Sequence, residues 1–234
     1  MQLPYFYIEQ YNPQESQFIL NEENSRHIVQ VLRMQVGEKL LLTDGKGNLI
    51  TAEIVDAHKK HCTVKSLEKD FNSSPSPQLI IAISPLKNNS RFEWFLEKAT
   101  EIGITSIVPI ICTRTEKQRI RVERLQNILV SAMLQSRQTW LPVMTEPVDY
   151  KKYISGQSFT SIPQKFIAHC AEEDKQLLRP NSLPSIILIG PEGDFTPEEI
   201  DEAIKAGCSP VTLGNTRLRT ETAGVVAATL LRLG

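Results

Sequence analysis

The stretch IILIGPEGDFTPEEI, residues 186–200, passes from a strand to a helix within a few residues. Ile186, Ile187, Leu188 and Ile189 form an unbroken apolar run, as expected of a strand covered on both faces. Gly190, Pro191, Glu192 and Gly193 end the run with a tight loop. Thr196 is then placed to cap a helix, Pro197 to take its first position and Glu199 to close a capping box. Strand, short loop and helix make up the unit from which parallel α/β sheets are built.

The same unit recurs on either side. QLIIAIS (78–84), SIVPIIC (106–112), KFIAHC (165–170), SIILIG (185–190) and PVTLG (210–214) read as strands. SRFEWFLEKATEIG (90–103), RIRVERLQNILVSAMLQ (119–135) and TPEEIDEAIKAG (196–207) read as helices between them. A last helix, capped by Thr220, carries Ala223, Val225, Val226, Ala227, Ala228, Leu230 and Leu231. It is apolar all round, which predicts burial on every side. The fold class is α/β with a parallel sheet.

FNSSPSPQ (71–78) separates this pattern from a different one. Upstream, EKLLLTD, a Gly-Lys-Gly-Asn turn and LITAEIVD predict a hairpin, and CTVKSLEK a further strand. A short helix is expected in NSRHIVQVLRM, where Ile28, Val31 and Leu32 have helical spacing. The expected domains are a small β-barrel or sandwich over 1–72 and the α/β domain over 73–234.

Composition narrows the function. With 234 residues, 41% hydrophobic and 23% charged, the chain has the make-up of a soluble globular protein. No apolar run is long enough to span a bilayer, and MQLPYFYIEQYNPQES lacks the basic and apolar segments of a signal peptide. A cytoplasmic protein is expected, away from membranes. Cys62, Cys112, Cys170 and Cys208 are scattered without a Cys-x-x-Cys pair, and His58 and His61 read as part of a solvated turn, so no metal is expected. A net charge of −1 excludes a uniformly basic surface but leaves room for a local patch.

Two loops and one basic segment could carry chemistry. The loop 190–196 and the loop 213–219 both follow strands and precede helices, the position where parallel sheets bind ligands. In the second, LGNTRLRTETA, Glu221 suits the positive end of a helix, but Arg217 and Arg219 do not, since that end repels cations. Their placement there suggests an anionic partner. In CTRTEKQRIRVERLQ (112–126), Arg114, Lys117, Arg119, Arg121 and Arg124 outnumber Glu116 and Glu123, giving a net charge of +3. A solvated helix face is the plain reading of such a run, and a phosphate-binding strip the sharper one, extended by Lys87 and Arg91.

These segments together resemble one family. GPEGDFTPEE (190–199) and LGNTRLRTETA (213–223) are similar to the paired C-terminal motifs of the RsmE family. Its members are 16S ribosomal RNA methyltransferases that modify N3 of a uridine and belong to the SPOUT superfamily. His27, Val31, Leu32, Arg33 and Gly37 match its "H…VLR…G" pattern. Lys87, Lys98, Glu101 and Gly103 match its "K…KATE-G" helix, and Ala132, Gln135, Ser136 and Pro142 its "A..QS….P" segment. The chain departs from the family at two places. Arg137 and Gln138 follow Ser136 where the family commonly has Gly-Arg, and Asp194 stands where it commonly has the second glycine of Gly-Gly-Phe.

The resemblance implies a SPOUT-type sheet with a deep trefoil knot near the C-terminus, preceded by a PUA-like barrel that helps grip RNA. It implies S-adenosylmethionine held by Leu188, Gly190, Glu192, Gly193, Leu213, Gly214, Leu218, Thr222 and Ala223. Arg217 and Arg219 are the candidates for stabilising charge on the uracil, and Glu221 for orienting an arginine or assisting proton removal. RNA contacts are expected from Arg26, Arg33, Lys87, Arg91, Arg114, Arg119, Arg121 and Arg124. The expected partners are 16S RNA in the small ribosomal subunit and a second copy of the chain, without metal. Two other readings share the pattern: a related knotted methyltransferase acting on a ribose hydroxyl, and a non-catalytic RNA-binding or ribosome-assembly protein.

Overall fold

The computed structural model describes residues 3–171, 175–179 and 182–232. The chain divides into two compact units, Met1–Ser74 with Met133–Leu141, and Pro75–Ala132 with Pro142–Gly234. A stretch of nine residues from the second half of the chain thus belongs with the first unit.

The first unit holds β1 (Tyr5–Tyr7), β2 (Gln17–Ile19), α1 (Glu22–Arg26), β3 (Lys39–Thr43), β4 (Asn48–Asp56) and β5 (Thr63–Phe71). Its sheet runs β1-β3-β4-β5-β2. β3 and β4 form the expected antiparallel hairpin, with Leu42 opposite Ile50. Its turn needs Gly45 and Gly47 at φ 68° and 97°. Leu40, Leu42, Ile50, Ala52, Ile54 and Val64 alternate into one core with Phe6, Leu20 and Ile28. The three-residue β1 and β2 are too short to carry a readable period.

One expectation fails here. α1 runs into a π turn over His27–Val31, where the Leu32 N–H donates to the His27 carbonyl at 2.9 Å. The wider turn rotates the chain out of the 3.6-residue period. Ile28 is fully buried, but Val31 and Leu32 stand 66% and 42% exposed.

The second unit holds β6 (Leu79–Ile83), α2 (Asn89–Ile102), β7 (Ser106–Ile111), all but the last three residues of α3 (Val122–Gln135), β8 (Val143–Met144), β9 (Val148–Asp149), α4 (Tyr150–Ser155), α5 (Gln157–Thr160), β10 (Gln164–Ala168), β11 (Gln176–Leu177), β12 (Ser185–Ile189), α6 (Pro197–Lys205), β13 (Ser209–Thr212) and α7 (Thr220–Arg232). Its sheet is parallel, in the order β11-β13-β10-β12-β6-β7-β8, with β9 beside β7. Every residue of β6 and β12 is buried, as their unbroken apolar runs predict. On one face Ile80, Ala82, Ile186 and Leu188 pack with Tyr150, Phe159, Phe195 and Ile200.

α7 covers β6 and β12 and packs against α2, although it follows β13 on the far side of β10. The chain therefore doubles back across the sheet after Thr212. α7 buries Gly224, Ala227, Ala228 and Leu231. Ala223, Val225, Val226 and Leu230 remain half-buried, so the expectation of burial on every side is corrected. A helix laid on one face of a sheet covers only one of its own faces.

α3 ends with bonds from Arg137 N–H to the Leu134 carbonyl (3.2 Å) and from Gln138 N–H to the Met133 carbonyl (3.0 Å). This Schellman pattern requires a left-handed residue, usually glycine. Arg137 supplies it with φ 60° at the place where the resemblance has glycine. Its guanidinium donates to the Leu3 carbonyl at 3.1 Å and lies over the Tyr5 ring. Among the described residues no helix is long and apolar enough to cross a membrane.

Candidate active site

The carboxyl ends of β10, β12 and β13 and the first turn of α7 enclose a cavity of about 500 Å³. Ala168, Ile189 and Thr212 close the three strands against it. The two loops singled out by sequence meet there: Gly190, Pro191, Glu192 and Asp194 from one, and Leu213, Gly214, Thr216, Arg217, Leu218 and Arg219 from the other. Gly190 and Gly214, having no side chains, leave main chain open to the cavity at two points of its wall. At Gly190 a Cβ would lie 3.1 Å from the Phe195 ring and 3.2 Å from its nitrogen, so the loop closes tightly only around glycine.

Arg219 occupies the cap position of α7, since its carbonyl accepts the first helical bond from Ala223 N–H at 2.7 Å. Thr220, expected as the cap, is the first helical residue. An arginine side chain has no acceptor to offer the free N–H groups of a helix start, and its charge opposes the dipole. Arg217 and Arg219 are both exposed and line the cavity. Glu221 is 7% exposed, and its Oε1 lies 3.7 Å from Nε of Arg91 on α2. The arginine facing Glu221 is therefore Arg91, which also lines the cavity.

Of the nine residues expected at the cofactor, Gly190, Glu192, Leu213, Gly214, Leu218 and Ala223 line the cavity. Leu188 does not; it is fully buried in the sheet core. Nor do Gly193, which packs against the stem of Arg114, or Thr222, half-buried on α7. The sequence reading passed over His169 and Cys170, which line the cavity at the end of KFIAHC. The rule that ligands gather at the carboxyl ends of parallel strands applies to that strand too, and would have found them.

Asp194 explains one departure from the family. It has φ 62°, the left-handed conformation glycine adopts most easily and aspartate tolerates. Its Oδ2 accepts from Cys170 N–H at 2.7 Å and its Oδ1 from Phe195 N–H at 2.8 Å. The carboxylate thereby ties the end of β10 to the loop after β12. Glu199 makes a second tie. The capping box is present, and the same carboxylate, 2% exposed, accepts from Thr113 N–H (2.7 Å) and Thr113 Oγ1 (2.9 Å).

The basic residues separate into groups. Arg114 donates to the carbonyls of Gly193 (2.7 Å) and Phe195 (3.2 Å), so it braces the loop. Lys87 pairs with Glu116 at 2.8 Å, and that hydrogen bond raises its ammonium pKa above the ordinary value. Arg119, Arg121 and Arg124 line a second, smaller cavity in the same unit. Arg26, paired with Glu22 at 3.1 Å, and Arg33, at φ 56° after the π turn, lie in the first unit. Burial pushes the Cys208 thiol up to about 12 and that of Cys112 well above its ordinary value, so both are packing groups at neutral pH.

Residues 72–232 match the model of the RNA methyltransferase domain family, and residues 20–66 that of the RNA methyltransferase PUA domain. A crystal structure of a probable rRNA-methyltransferase from Porphyromonas gingivalis is similar at 38% identity and TM-score 0.88, over 97% of this chain and 95% of that one. A ribosomal RNA small subunit methyltransferase E from Neisseria gonorrhoeae, bound to S-adenosyl methionine, is similar at 30% identity and TM-score 0.81, over 97% of this chain and 95% of that one. The protein of that name from Mesomycoplasma hyopneumoniae is 30% identical over 68% of this chain and 70% of its own length. With its paired loops on one cavity and its two matching domains, the chain belongs to the RNA methyltransferase family of the ribosomal RNA small subunit methyltransferase E proteins.

Proposed function

We propose that the chain methylates N3 of a uridine in the 16S RNA of the small ribosomal subunit, with S-adenosylmethionine bound in the 500 Å³ cavity. The observation that carries this reading is the meeting of Arg217, Arg219 and Glu221 with both glycine-containing loops in one cleft at the carboxyl ends of parallel strands. The residues fit the cofactor. The volume lies within the range of about 300–1,000 Å³ usual for small-molecule sites. Gly190, Leu213, Gly214, Leu218 and Ala223 offer main-chain groups to an adenine edge and apolar surface to its faces.

S-adenosylmethionine supplies, when bound, a methyl group on a positively charged sulfur. N3 of uracil carries a proton, and as it leaves, negative charge spreads onto O2 and O4. Arg217 and Arg219 stabilise that charge from the cavity rim. Glu221 positions an arginine or takes the N3 proton. Its ion pair with Arg91 favours the positioning role. The target base must be turned out of its stack to expose N3. RNA contacts are assigned to Arg26, Arg33, Lys87, Arg91, Arg119, Arg121 and Arg124, and Arg114 supports them through the loop it braces. The enzyme acts in the cytoplasm without metal. A second copy covers the half-buried Val225, Val226 and Leu230 of α7, and sedimentation equilibrium showing a monomer at micromolar concentration removes that assignment.

The test of the reaction uses small ribosomal subunits from cells lacking this activity, incubated with the protein and S-adenosylmethionine. Nucleoside mass spectrometry should show 3-methyluridine that depends on the cofactor. A ribose-methylated nucleoside would replace the target atom and keep the enzyme class. No product, together with no heat on titration with S-adenosylhomocysteine, would leave a non-catalytic RNA-binding protein.

The clasp at Asp194 gives a cofactor prediction. Asp194→Ala should weaken S-adenosylhomocysteine binding about tenfold, the loss of roughly one charge-assisted hydrogen bond. Asp194→Asn keeps an acceptor and tolerates the left-handed backbone, so it should recover most of the affinity. Equal calorimetric affinities for wild type and Asp194→Ala would remove the clasp from the site.

A further inference from the structure

The second cavity, about 280 Å³, gathers four cations in one place: Lys117, Arg119, Arg121 and Arg124. The loop between β7 and α3 brings Lys117, Arg119 and Arg121, and the first turn of α3 brings Arg124, beside the first turn of α2, where Asn89 and Glu93 complete the polar wall. Glu93 is the one carboxylate among the lining residues, and its Oε1 holds Nη2 of Arg124 at 2.8 Å. Among the described residues Lys117, Arg119 and Arg121 make no ion pair. Three unneutralised cations beside a helix N-terminus repel one another and the helix dipole, a cost an anion would remove.

We infer that this cavity is the seat for one phosphate group of the RNA strand, next to the nucleotide whose base enters the first cavity. The inference rests on the RNA-methyltransferase reading above. The chemistry of the walls selects phosphate over a base. Phe92 is 3% exposed, so it offers no open ring for stacking, whereas guanidinium groups match phosphate oxygens in pairs. The volume suits a phosphate group with part of its sugar rather than a whole nucleotide. Position selects a neighbouring phosphate. Arg91 lines the first cavity, while Asn89, Phe92 and Glu93 line the second, so the first turn of α2 borders both. Glu93 competes with the phosphate for Arg124.

The test measures the affinity of the full chain for a fluorescent RNA fragment bearing the target uridine, at several salt concentrations. Calorimetry with S-adenosylhomocysteine runs beside it, and thermal melting checks that each variant folds. The double variant Arg119→Ala, Arg121→Ala should weaken RNA binding by tenfold or more. It should also lower the slope of log K against log salt by about 0.7–0.9, the value for one phosphate contact. Glu93→Gln frees Arg124 and should tighten RNA binding a few-fold, a gain that a merely structural ion pair would not give. Unchanged affinity and slope in both variants would overturn the seat, and so would weaker RNA binding by Glu93→Gln. Wild-type protein that binds S-adenosylhomocysteine but not RNA would overturn the seat and spare the cofactor site. Wild type that binds neither would remove the functional reading as well.

Discussion

Arg219→Ser is expected to lower the single-turnover rate of methyl transfer by about 10²–10³-fold, the usual cost of losing a group that stabilises developing negative charge. The same change should stabilise the protein. Arg219 sits at the cap position of α7, where its side chain satisfies no N–H group and its charge faces the positive end of the helix dipole. Serine there accepts a hydrogen bond and carries no charge, a gain of roughly 0.5–1 kcal/mol. Lower activity with a higher melting temperature is the signature of a residue kept for chemistry against its structural interest. Affinity for S-adenosylhomocysteine should hold, because Arg219 is assigned to the uracil and not to the cofactor. A variant that methylates at the wild-type rate would take Arg219 out of the reaction and leave Arg217 as the candidate.

Gly224→Val is expected to destabilise the second unit by about 3 kcal/mol, the upper part of the range for overpacking a close-fitted core. A Cβ at 224 would lie 2.5 and 2.7 Å from Cε2 and Cδ2 of Phe95 and 3.0 Å from Cδ1 of Ile83. Phe95 and Ile83 are both fully buried, so neither ring nor methyl has space to withdraw. The helix must move instead, and its first turn carries Thr220, Glu221 and Ala223 at the cavity. Cofactor affinity should therefore fall with stability. Gly224→Ala should cost less, because alanine regains roughly 1 kcal/mol of helix propensity. Thermal melting and calorimetry on the two variants check the order. A valine variant as stable as wild type would show that α2 and α7 do not meet through this glycine.

Periodicity and punctuation decided much of this protein in advance. The buried strands β6 and β12 follow from apolar runs that no solvated strand could carry. The start of α6 follows from Thr196, Pro197 and Glu199, because a capping box is closed by residues three apart. The two cavity loops follow from glycine next to strand ends, and the oddity of Arg217 and Arg219 from simple electrostatics. In each case the cause lies within a few residues of its effect, so one dimension suffices to read it.

Tertiary structure decided the rest. Glu199 looks like a cap in sequence, but its carboxylate also holds Thr113, 86 residues away. Glu221 faces Arg91 rather than either neighbouring arginine, because α2 and α7 pack together. Asp194 and Arg137 look like departures from a glycine pattern. Each takes the left-handed backbone and adds side-chain contacts, to Cys170 in one case and to Leu3 and Tyr5 in the other. Val31 and Leu32 leave the core because a π turn changes the period within a single helix. Five basic residues spaced along one segment become one loop brace and four walls of a cavity. Local order is a property of neighbours along the chain and is written in their spacing. Which distant groups share a charge, a hydrogen bond or a cavity depends on where packing brings the elements, and spacing alone does not carry it.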